Sequence, residues 1–228
     1  IVEINQQKLF VETLEQQVSQ KTASLSEKTA ALEMANIELE QLTYTDALSG
    51  LYNRRYFDKN LLQEITRHKR QKEVLALIIC DIDYFKLYND QYGHIGGDSC
   101  IQRVSACMKK IVNRSSDSIC RYGGEEFAII LPGTNDEDAT KVVKKIMKEL
   151  AALKIKHDTS SVDDYVTMSY GIYSVIPRAE TSPESMIICA DKALYTSKAS
   201  GRNCFTVENI DSVSSDANSS YAAPTPQQ

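Results

Sequence analysis

Two pairs of carboxylates, well separated along the chain, have residue types and spacing suited to binding a divalent cation. Asp81 and Asp83 end a run of apolar residues. Since alternate residues of a strand point to the same face, both side chains are predicted to project together. Glu125 and Glu126 follow a Gly-Gly pair, which on its own is typical of a solvated hairpin tip. Together the two pairs predict a site for a hard cation such as Mg²⁺, which binds one or two carboxylates and leaves other positions to water and phosphates.

The elements that must position these carboxylates are predicted from residue patterns. Residues 74–80 are all apolar, which suits a strand buried on both faces. The Gly-Gly pair lies between strand-like segments at 118–120 and 127–131 and favours a hairpin, because a two-residue primed turn needs the positive φ that glycine adopts without strain. Asn53 and Ser182 are predicted N-caps of helices. From residue 74 onwards the order β-α-α-β-β-α-β-α-β predicts an α+β sandwich, with helices packed on a mainly antiparallel central sheet.

A longer pattern of polar residues surrounds both pairs of carboxylates. Residues 81–98 contain Asp-Ile-Asp-x-Phe-Lys-x-x-Asn-Asp-x-x-Gly-His-x-x-Gly-Asp, and residues 123–127 contain Gly-Gly-Glu-Glu-Phe. With these two motifs in this order, the chain resembles the GGDEF family of diguanylate cyclases over about residues 43–207. The resemblance implies the palm-like fold that the family shares with nucleotidyl cyclases and polymerase palms.

The resemblance also implies a reaction, in which two GTP molecules give cyclic di-GMP and two pyrophosphates. The expected cofactor is Mg²⁺, with Mn²⁺ as a substitute. The expected metal ligands are Asp81, the backbone carbonyl of Ile82 and Glu125, with Glu126 as a further ligand. Glu125 is also the expected base for the 3′-hydroxyl, although a carboxylate that binds Mg²⁺ is a poor base and the metal could ionise the hydroxyl instead. Asp83 is expected either to join the site or to brace neighbouring backbone.

Further residues are expected at the substrate because they match family positions. They are Phe85, Lys86, Asn89, His94, Asp98, Gly123, Gly124, Lys198 and Arg202. Lys86 is the expected phosphate contact that stabilises the transition state, while Asn89 and Asp98 are expected to bind guanine. Lys198 and Arg202 are expected on the phosphates, the alternative being stabilisation of a helix C-terminus. For His94 a helix-capping or loop-packing role stays open.

A candidate inhibitory site precedes the hairpin. Arg114 and Asp117 form an R-x-x-D pattern at the family's usual spacing from Gly123. The resemblance implies that they bind the product, cyclic di-GMP, with the guanidinium and the carboxylate contacting a guanine edge and a phosphate. Because an R-x-x-D pattern arises often by chance, a surface ion pair is the alternative.

A heptad repeat precedes the resembling region. One core position is apolar over six repeats, at Ile4, Val11, Val18, Leu25, Leu32 and Leu39. The second core position is polar in the middle, at Lys21 and Lys28. Residues 4–42 are therefore predicted to form a parallel two-stranded coiled coil with a weak centre, and so a homodimer. A single amphipathic helix lying on the domain is the alternative.

The predicted organisation is a coiled-coil signalling helix at 1–42, a catalytic domain at 43–207 and a disordered tail at 208–228. The tail is rich in Ser, Asn, Asp, Ala and Pro and lacks the apolar content that ordering requires. The chain begins with Ile1, so we expect a fragment of a longer protein that has an upstream sensor domain. The fragment is expected to be cytoplasmic, and a membrane anchor in the full-length protein stays open.

Composition limits the function classes. A net charge of -5 and a pI of about 5.3 exclude the broad basic surface of a nucleic-acid-binding protein. The six cysteines lack C-x-x-C spacing and mostly lie in apolar segments, which predicts reduced core residues. The alternatives to a diguanylate cyclase are a non-catalytic receptor for cyclic di-GMP or GTP and a cyclase for another nucleotide. Asp98 argues against the second.

Overall fold

The computed structural model describes residues 18–29, 32, 34 and 44–208, and the chain divides into units 1–44 and 45–228. In the first unit, residues 18–29 form a helix, α1, whose side chains are exposed. The heptad residues Val18, Leu25 and Leu32 are between 62% and 68% exposed. The other heptad positions and the tail after Glu208 lie outside the described residues, so the coiled coil and the disordered tail stay predictions.

The described part of the second unit contains six strands and four helices. They are β1 (Tyr52–Asn53), α2 (Arg54–Gln71), β2 (Leu75–Ile82), α3 (Phe85–Ile111), β3 (Ser118–Gly123), β4 (Glu126–Pro132), α4 (Asp136–Ala152), β5 (Met168–Val175), α5 (Pro183–Ala199) and β6 (Phe205–Glu208). No helix in these ranges is long and apolar enough to cross a bilayer.

The six strands form one sheet in the order β1-β3-β4-β2-β5-β6. The three central pairings are antiparallel, which confirms the predicted mainly antiparallel sheet. The two outer pairings, β1 with β3 and β5 with β6, are parallel. These parallel edges were not predicted, because β1 has only two residues and β6 only four.

Strand β2 lies at the centre of the sheet, and all eight of its residues are buried. Its even-numbered residues, such as Ile78, pack in a core with α3 and α4. Its odd-numbered residues, such as Leu77, pack on the opposite face with α2 and α5. Helices therefore cover both faces of the sheet, which is why the sequence of β2 is apolar without alternation.

Side chains define where the helices begin. The side chain of Asn53 accepts a hydrogen bond from Tyr56 N at 3.1 Å and caps α2. Ser182 caps α5 in a reciprocal pair of hydrogen bonds with Ser185, and Pro183 occupies the first helical position. Both caps confirm the predictions from sequence.

Helix α3 bends about one third of the way along its length. Gly93 has φ 72° and ψ 167°, so the helix is interrupted between a first half at 85–92 and a second half at 94–111. Only glycine adopts this backbone conformation without strain. The predicted order β-α-α-β placed two helices here, and the structure joins them at Gly93.

Helix α5 packs unusually close to β5 at Gly171. A Cβ atom at this position would lie 2.0 Å from the carbonyl oxygen of Ala190 and 2.3 Å from the nitrogen of Leu194. Because both neighbours are helix backbone, Gly171→Ala should push α5 from the sheet and lower the free energy of unfolding by about 1–3 kcal/mol. Urea denaturation measures the effect.

A matched glycine serves as the control for this prediction. At Gly123 a Cβ atom would meet nothing nearer than Glu126 Oε2 at 3.9 Å, and Gly123→Ala should change stability by less than about 0.5 kcal/mol. Equal urea midpoints for the two variants would contradict the close packing of α5 on β5.

Candidate active site

One carboxylate of the first pair, Asp81, meets the second pair, Glu125 and Glu126, at the end of strand β2. The pairing of β2 with β4 sets Asp81 directly opposite Glu126. The backbone carbonyl of Glu125 accepts a hydrogen bond from Ile82 N at 3.3 Å, so the hairpin tip is joined to the end of β2. The predicted convergence is therefore present for Asp81, Glu125 and Glu126, whereas Asp83 lies in the turn after β2 and has other partners.

The hairpin turn differs by one residue from the predicted Gly-Gly turn. Gly123 is the last residue of β3, and the turn consists of Gly124 and Glu125, with Gly124 at φ +49°. A register shift lies between Arg121 and Gly123, where β3 is irregular. This shift moves the turn forward and places Glu125 at its tip.

Asp81 lies in a crowded electrostatic environment. The pKa of Asp81 is raised to about 6, mainly by burial. The Lys198 ammonium acts to lower this pKa, and the nearby Glu125 and Glu126 act to raise it. Lys198 Nζ lies 2.9 Å from Asp81 Oδ2. Three carboxylates thus repel one another at this edge, and a bound cation would relieve the repulsion.

The donors at this edge fit a hard divalent cation. Asp81, Glu125, Glu126 and the Ile82 carbonyl offer oxygen atoms only, which Mg²⁺ prefers over imidazole or thiolate. Within the described ranges, no three acidic, histidine or cysteine side chains lie close enough to hold a metal by themselves. Mg²⁺ does not require such a cage, because one or two carboxylates together with substrate phosphates and water complete its coordination.

Asp83 braces the surrounding backbone and side chains. It is 1% exposed and accepts hydrogen bonds from Thr167 Oγ1 at 2.8 Å and Ser169 Oγ at 2.6 Å. Asn203 N donates a third bond to it at 3.1 Å. Of the two roles predicted for Asp83, the structure therefore favours bracing over a place in the cation site.

Tyr84 and Arg202 form a contact that the sequence did not reveal. Tyr84 has φ 55°, a left-handed conformation that is strained for a tyrosine. The Arg202 guanidinium lies 4.3 Å from the centre of the Tyr84 ring and donates a hydrogen bond to its hydroxyl at 3.1 Å. Arg202 also donates to the Lys198 carbonyl at 3.4 Å, so it contacts the end of α5 as the helix-terminus alternative requires. Lys198 and Arg202 nevertheless lie beside the end of β2, because Lys198 contacts Asp81 and Arg202 contacts Tyr84.

The two halves of α3 place the other predicted substrate residues. Phe85 is buried in the core, and Asn89 is half-buried against Gly97. A Cβ atom on Gly97 would lie 1.9 Å from Asn89 Oδ1, so only glycine leaves room for this amide. Asn89 therefore connects the first half of α3 with the second.

The three remaining predicted residues on α3, Lys86, His94 and Asp98, are exposed. Within the described part of the chain their side chains make no hydrogen bond or ion pair. They are therefore available to a ligand, and the capping or packing alternative for His94 has no support in these contacts.

Arg121 is a site residue that sequence reasoning missed. Its Nε donates to the carbonyl of Gly124 at 2.8 Å, and its NH1 lies 3.1 Å from Asp46 Oδ1. Burial acts to raise the pKa of Asp46, but hydrogen bonds from Ser49 and Arg121 outweigh it and lower the pKa. Arg121 thus fixes the hairpin turn to the segment before β1. No local pattern marks this role, because the contact spans 75 residues.

The predicted inhibitory residues lie on the loop before β3. Asp117 N donates to the carbonyl of Arg114 at 3.1 Å, and Ser116 Oγ donates to Asp117 Oδ1 at 3.0 Å. In the described residues no ion pair joins Arg114 to Asp117, so the surface-ion-pair alternative is not observed. Asp117 also lines a cavity of about 320 Å³ together with Lys109 and Tyr52. The exposed Arg114 guanidinium is available to a ligand.

Comparisons with known proteins show what this chain is similar to. The family model described as diguanylate cyclase, GGDEF domain, matches residues 43–204. Diguanylate cyclase A of Treponema denticola is 36% identical over 196 residues, which are 85% of this chain and 51% of the relative. The response regulator PleD of Caulobacter vibrioides is 34% identical over 165 residues, which are 72% of this chain and 36% of the relative. The chain thus spans about half, or less, of the length of these curated relatives.

A solved structure shows the same fold. The coiled coil and GGDEF domain of DgcB from Caulobacter crescentus, in complex with c-di-GMP, matches with a TM-score of 0.67 and 32% identity. The match covers 81% of this chain and 97% of that chain.

Proposed function

Since the chain belongs to the GGDEF family of diguanylate cyclases, we propose that it condenses two GTP molecules into cyclic di-GMP with release of two pyrophosphates. The observation that supports this most strongly is the pairing of β2 with β4. It sets Asp81 opposite Glu126 and joins Ile82 to Glu125, so that carboxylates from two segments share one edge of the sheet.

The reaction is two phosphoryl transfers of the same kind. In each, a 3′-hydroxyl oxygen forms a bond to the α-phosphorus of the other GTP, the bond from that phosphorus to the pyrophosphate oxygen breaks, and the hydroxyl proton is lost. Mg²⁺, or Mn²⁺ as a substitute, would neutralise triphosphate charge and ease ionisation of the hydroxyl. The residues that would bind it are Asp81, the Ile82 carbonyl and Glu125, with Glu126 as a further ligand. Glu125 is the acceptor assigned to this proton. Catalysis of this type depends mainly on positioning and charge stabilisation.

Three cations are assigned to the phosphates. Lys86 is exposed in the first turn of α3, which follows the end of β2. Lys198 lies beside Asp81, and Arg202 is held over Tyr84 nearby. Their positions around Asp81, Glu125 and Glu126 support binding of a triphosphate by an otherwise acidic protein.

Asn89 and Asp98 are assigned to guanine, with His94 and the backbone at Gly123 and Gly124 beside the substrate. Guanine presents N1–H and N2–H donors on one edge, and an ionised carboxylate accepts from both. Adenine has no proton on N1, so it would leave the carboxylate without a donor and bind more weakly. The exposed carboxylate of Asp98 and the fixed amide of Asn89 therefore favour GTP over ATP.

Each domain supplies half of an active centre, because one site binds one GTP and the reaction consumes two. A homodimer through residues 4–42 would bring two domains together, and an upstream sensor domain would act through that helix. The exposed apolar side chains of Val18 and Leu25 on α1 support such a pairing.

The proposed activity is tested by incubation with GTP and Mg²⁺ and by chromatography of the products. Cyclic di-GMP should form from GTP, chelation of the metal should stop its formation, and ATP should give no cyclic dinucleotide. GTP binding without turnover would instead support the receptor alternative.

Product inhibition should depend on Arg114. If the exposed guanidinium binds cyclic di-GMP together with Asp117, Arg114→Ala should raise the inhibitory concentration of added cyclic di-GMP at least about tenfold, since it removes a charge-assisted contact. The initial rate without added product should change little. Inhibition curves at fixed GTP measure this, with Lys110→Ala as a control for loss of a nearby exposed cation. A curve unchanged by Arg114→Ala would remove the inhibitory assignment.

A further inference from the structure

The loop between α4 and β5 contacts the first half of α3 at three successive points. His157, Asp158 and Thr159 supply these contacts, and we name them the 157–159 loop. The first half of α3 also carries Lys86 and Asn89. This loop is distant in sequence from every motif described above, and the proposed reaction assigns it no role.

His157 makes the innermost contact. The residue is 1% exposed, and its Nε2 lies 3.2 Å from the backbone oxygen of Tyr84. A carbonyl only accepts, so Nε2 bears the proton and donates. The His157 ring also packs edge-on against Tyr88, with the ring centres 5.2 Å apart. The imidazole thus fixes the strained left-handed residue from which α3 begins.

The other two residues contact the next turns of the helix. Thr159 Oγ1 lies 3.4 Å from the Leu87 carbonyl. Tyr92 donates its hydroxyl hydrogen to Asp158 Oδ2 at 2.8 Å, and Asp158 N lies 3.2 Å from the same hydroxyl oxygen. The loop therefore contacts Tyr84, which directly precedes α3, and the first half of α3 as far as Tyr92.

This arrangement matters because the first half of α3 is not continuous with the second. The helix is interrupted at Gly93, so the orientation of 85–92 does not follow from the orientation of 94–111. Asn89 has little freedom, since its amide lies where a Cβ of Gly97 would be. A small rotation of the first half would move Lys86 and Asn89 together.

From these contacts we infer that His157 is a positioning residue for nucleotide binding, acting through Tyr84 and the first half of α3. It holds Lys86 and Asn89 in the orientation in which one GTP contacts both. This inference rests on the proposed function, because it assumes that the two side chains bind GTP.

The test compares His157→Leu, which removes the donor, with His157→Gln, whose amide nitrogen replaces Nε2. His157→Leu should raise both the half-saturating GTP concentration and the Kd of α,β-methylene GTP about tenfold, because misplaced binding groups weaken ground-state contacts. The kcat should fall as well, since Lys86 is also expected to stabilise the transition state. His157→Gln should restore both values to within about twofold of the wild type.

The matched control is His68, a second buried histidine that is also 1% exposed and lies against a backbone carbonyl, at Glu64. It belongs to α2 on the opposite face of the sheet, so His68→Leu should lower thermal stability without changing the Kd of α,β-methylene GTP. Equal Kd values for the His157→Leu and His68→Leu proteins would overturn the inference.

A second variant covers the case in which His157→Leu does not fold. Tyr92→Phe removes only the hydroxyl that bonds Asp158, and it should raise the Kd of α,β-methylene GTP at least about twofold. An unchanged Kd for Tyr92→Phe would then overturn the inference. Absence of cyclic di-GMP formation by the wild-type protein would contradict the proposed function itself, whereas an active wild type with unaltered variants would contradict only the role of His157.

Discussion

Asp81→Ala should lower the rate of cyclic di-GMP formation at least about a thousandfold, which corresponds to roughly 4 kcal/mol of transition-state stabilisation. Asp81 is the buried carboxylate that the sheet sets opposite Glu126, and Lys198 lies 2.9 Å from it. Its loss would remove a metal ligand and leave Lys198 without its partner. Glu125→Ala should have an effect of similar size, because Glu125 is assigned both to the metal and to the hydroxyl proton. Initial rates of product formation by purified, folded variants measure both effects.

Two further variants separate chemistry from stability. Glu137→Ala removes an exposed carboxylate in the first turn of α4 and should leave the rate unchanged. Asp83→Ala should act mainly on stability, because it leaves the buried hydroxyls of Thr167 and Ser169 without their acceptor, at about 1–3 kcal/mol for each unsatisfied group. Near-normal turnover in a well-folded Glu125→Ala protein would falsify the assigned site.

Disrupting the predicted coiled coil of residues 4–42 should make the reaction depend steeply on protein concentration. Val18 and Leu25 are exposed on α1 and occupy one predicted core position. Placing Asp at both positions would set like charges opposite each other on the two helices of the predicted coiled coil, so we expect a monomer. A tethered second domain has an effective concentration in the millimolar range. The rate per domain should therefore fall at least about tenfold at micromolar protein and rise with concentration.

The control variant for the coiled coil carries the same charge change at the positions that directly follow Val18 and Leu25. Ser19→Asp with Ser26→Asp adds two carboxylates at exposed positions beside the predicted core and should leave both dimer and rate unchanged. Sedimentation and specific activity are measured together over a range of protein concentrations. Full activity per domain in a demonstrated monomer would overturn the paired-site mechanism. Replacing Lys21 and Lys28 by Leu should stabilise the dimer, since both occupy the second predicted core position.

The sequence predicts those parts of the fold that depend on local pattern. The apolar run of β2 predicts a strand covered on both faces, and the structure buries all eight of its residues. Asn53 and Ser182 are predicted caps because their side chains bond backbone only three residues away. Asp81 and Glu125 are recognisable because Asp81 directly follows an apolar run and Glu125 lies between two strand-like segments.

The remaining parts depend on contacts between distant segments or on unusual backbone conformations. Asp83 bonds Thr167, 84 residues away, and nothing near Asp83 shows that a hydroxyl will meet it. Tyr84 adopts a positive φ that tyrosine rarely takes, so no propensity predicts its contact with Arg202. His157 and Arg121 likewise act on backbone carbonyls that only the folded chain brings near.

The most direct test of the proposed reaction is a product count with the wild-type and Asp81→Ala proteins side by side, each given GTP and Mg²⁺. Chromatography measures GTP consumed and cyclic di-GMP formed, and a coupled assay measures pyrophosphate. The proposed reaction predicts that the wild-type protein consumes two GTP for each cyclic di-GMP and releases two pyrophosphates, and that Asp81→Ala yields neither product above background. Intact GTP in the wild-type reaction, or equal product from both proteins, would contradict it.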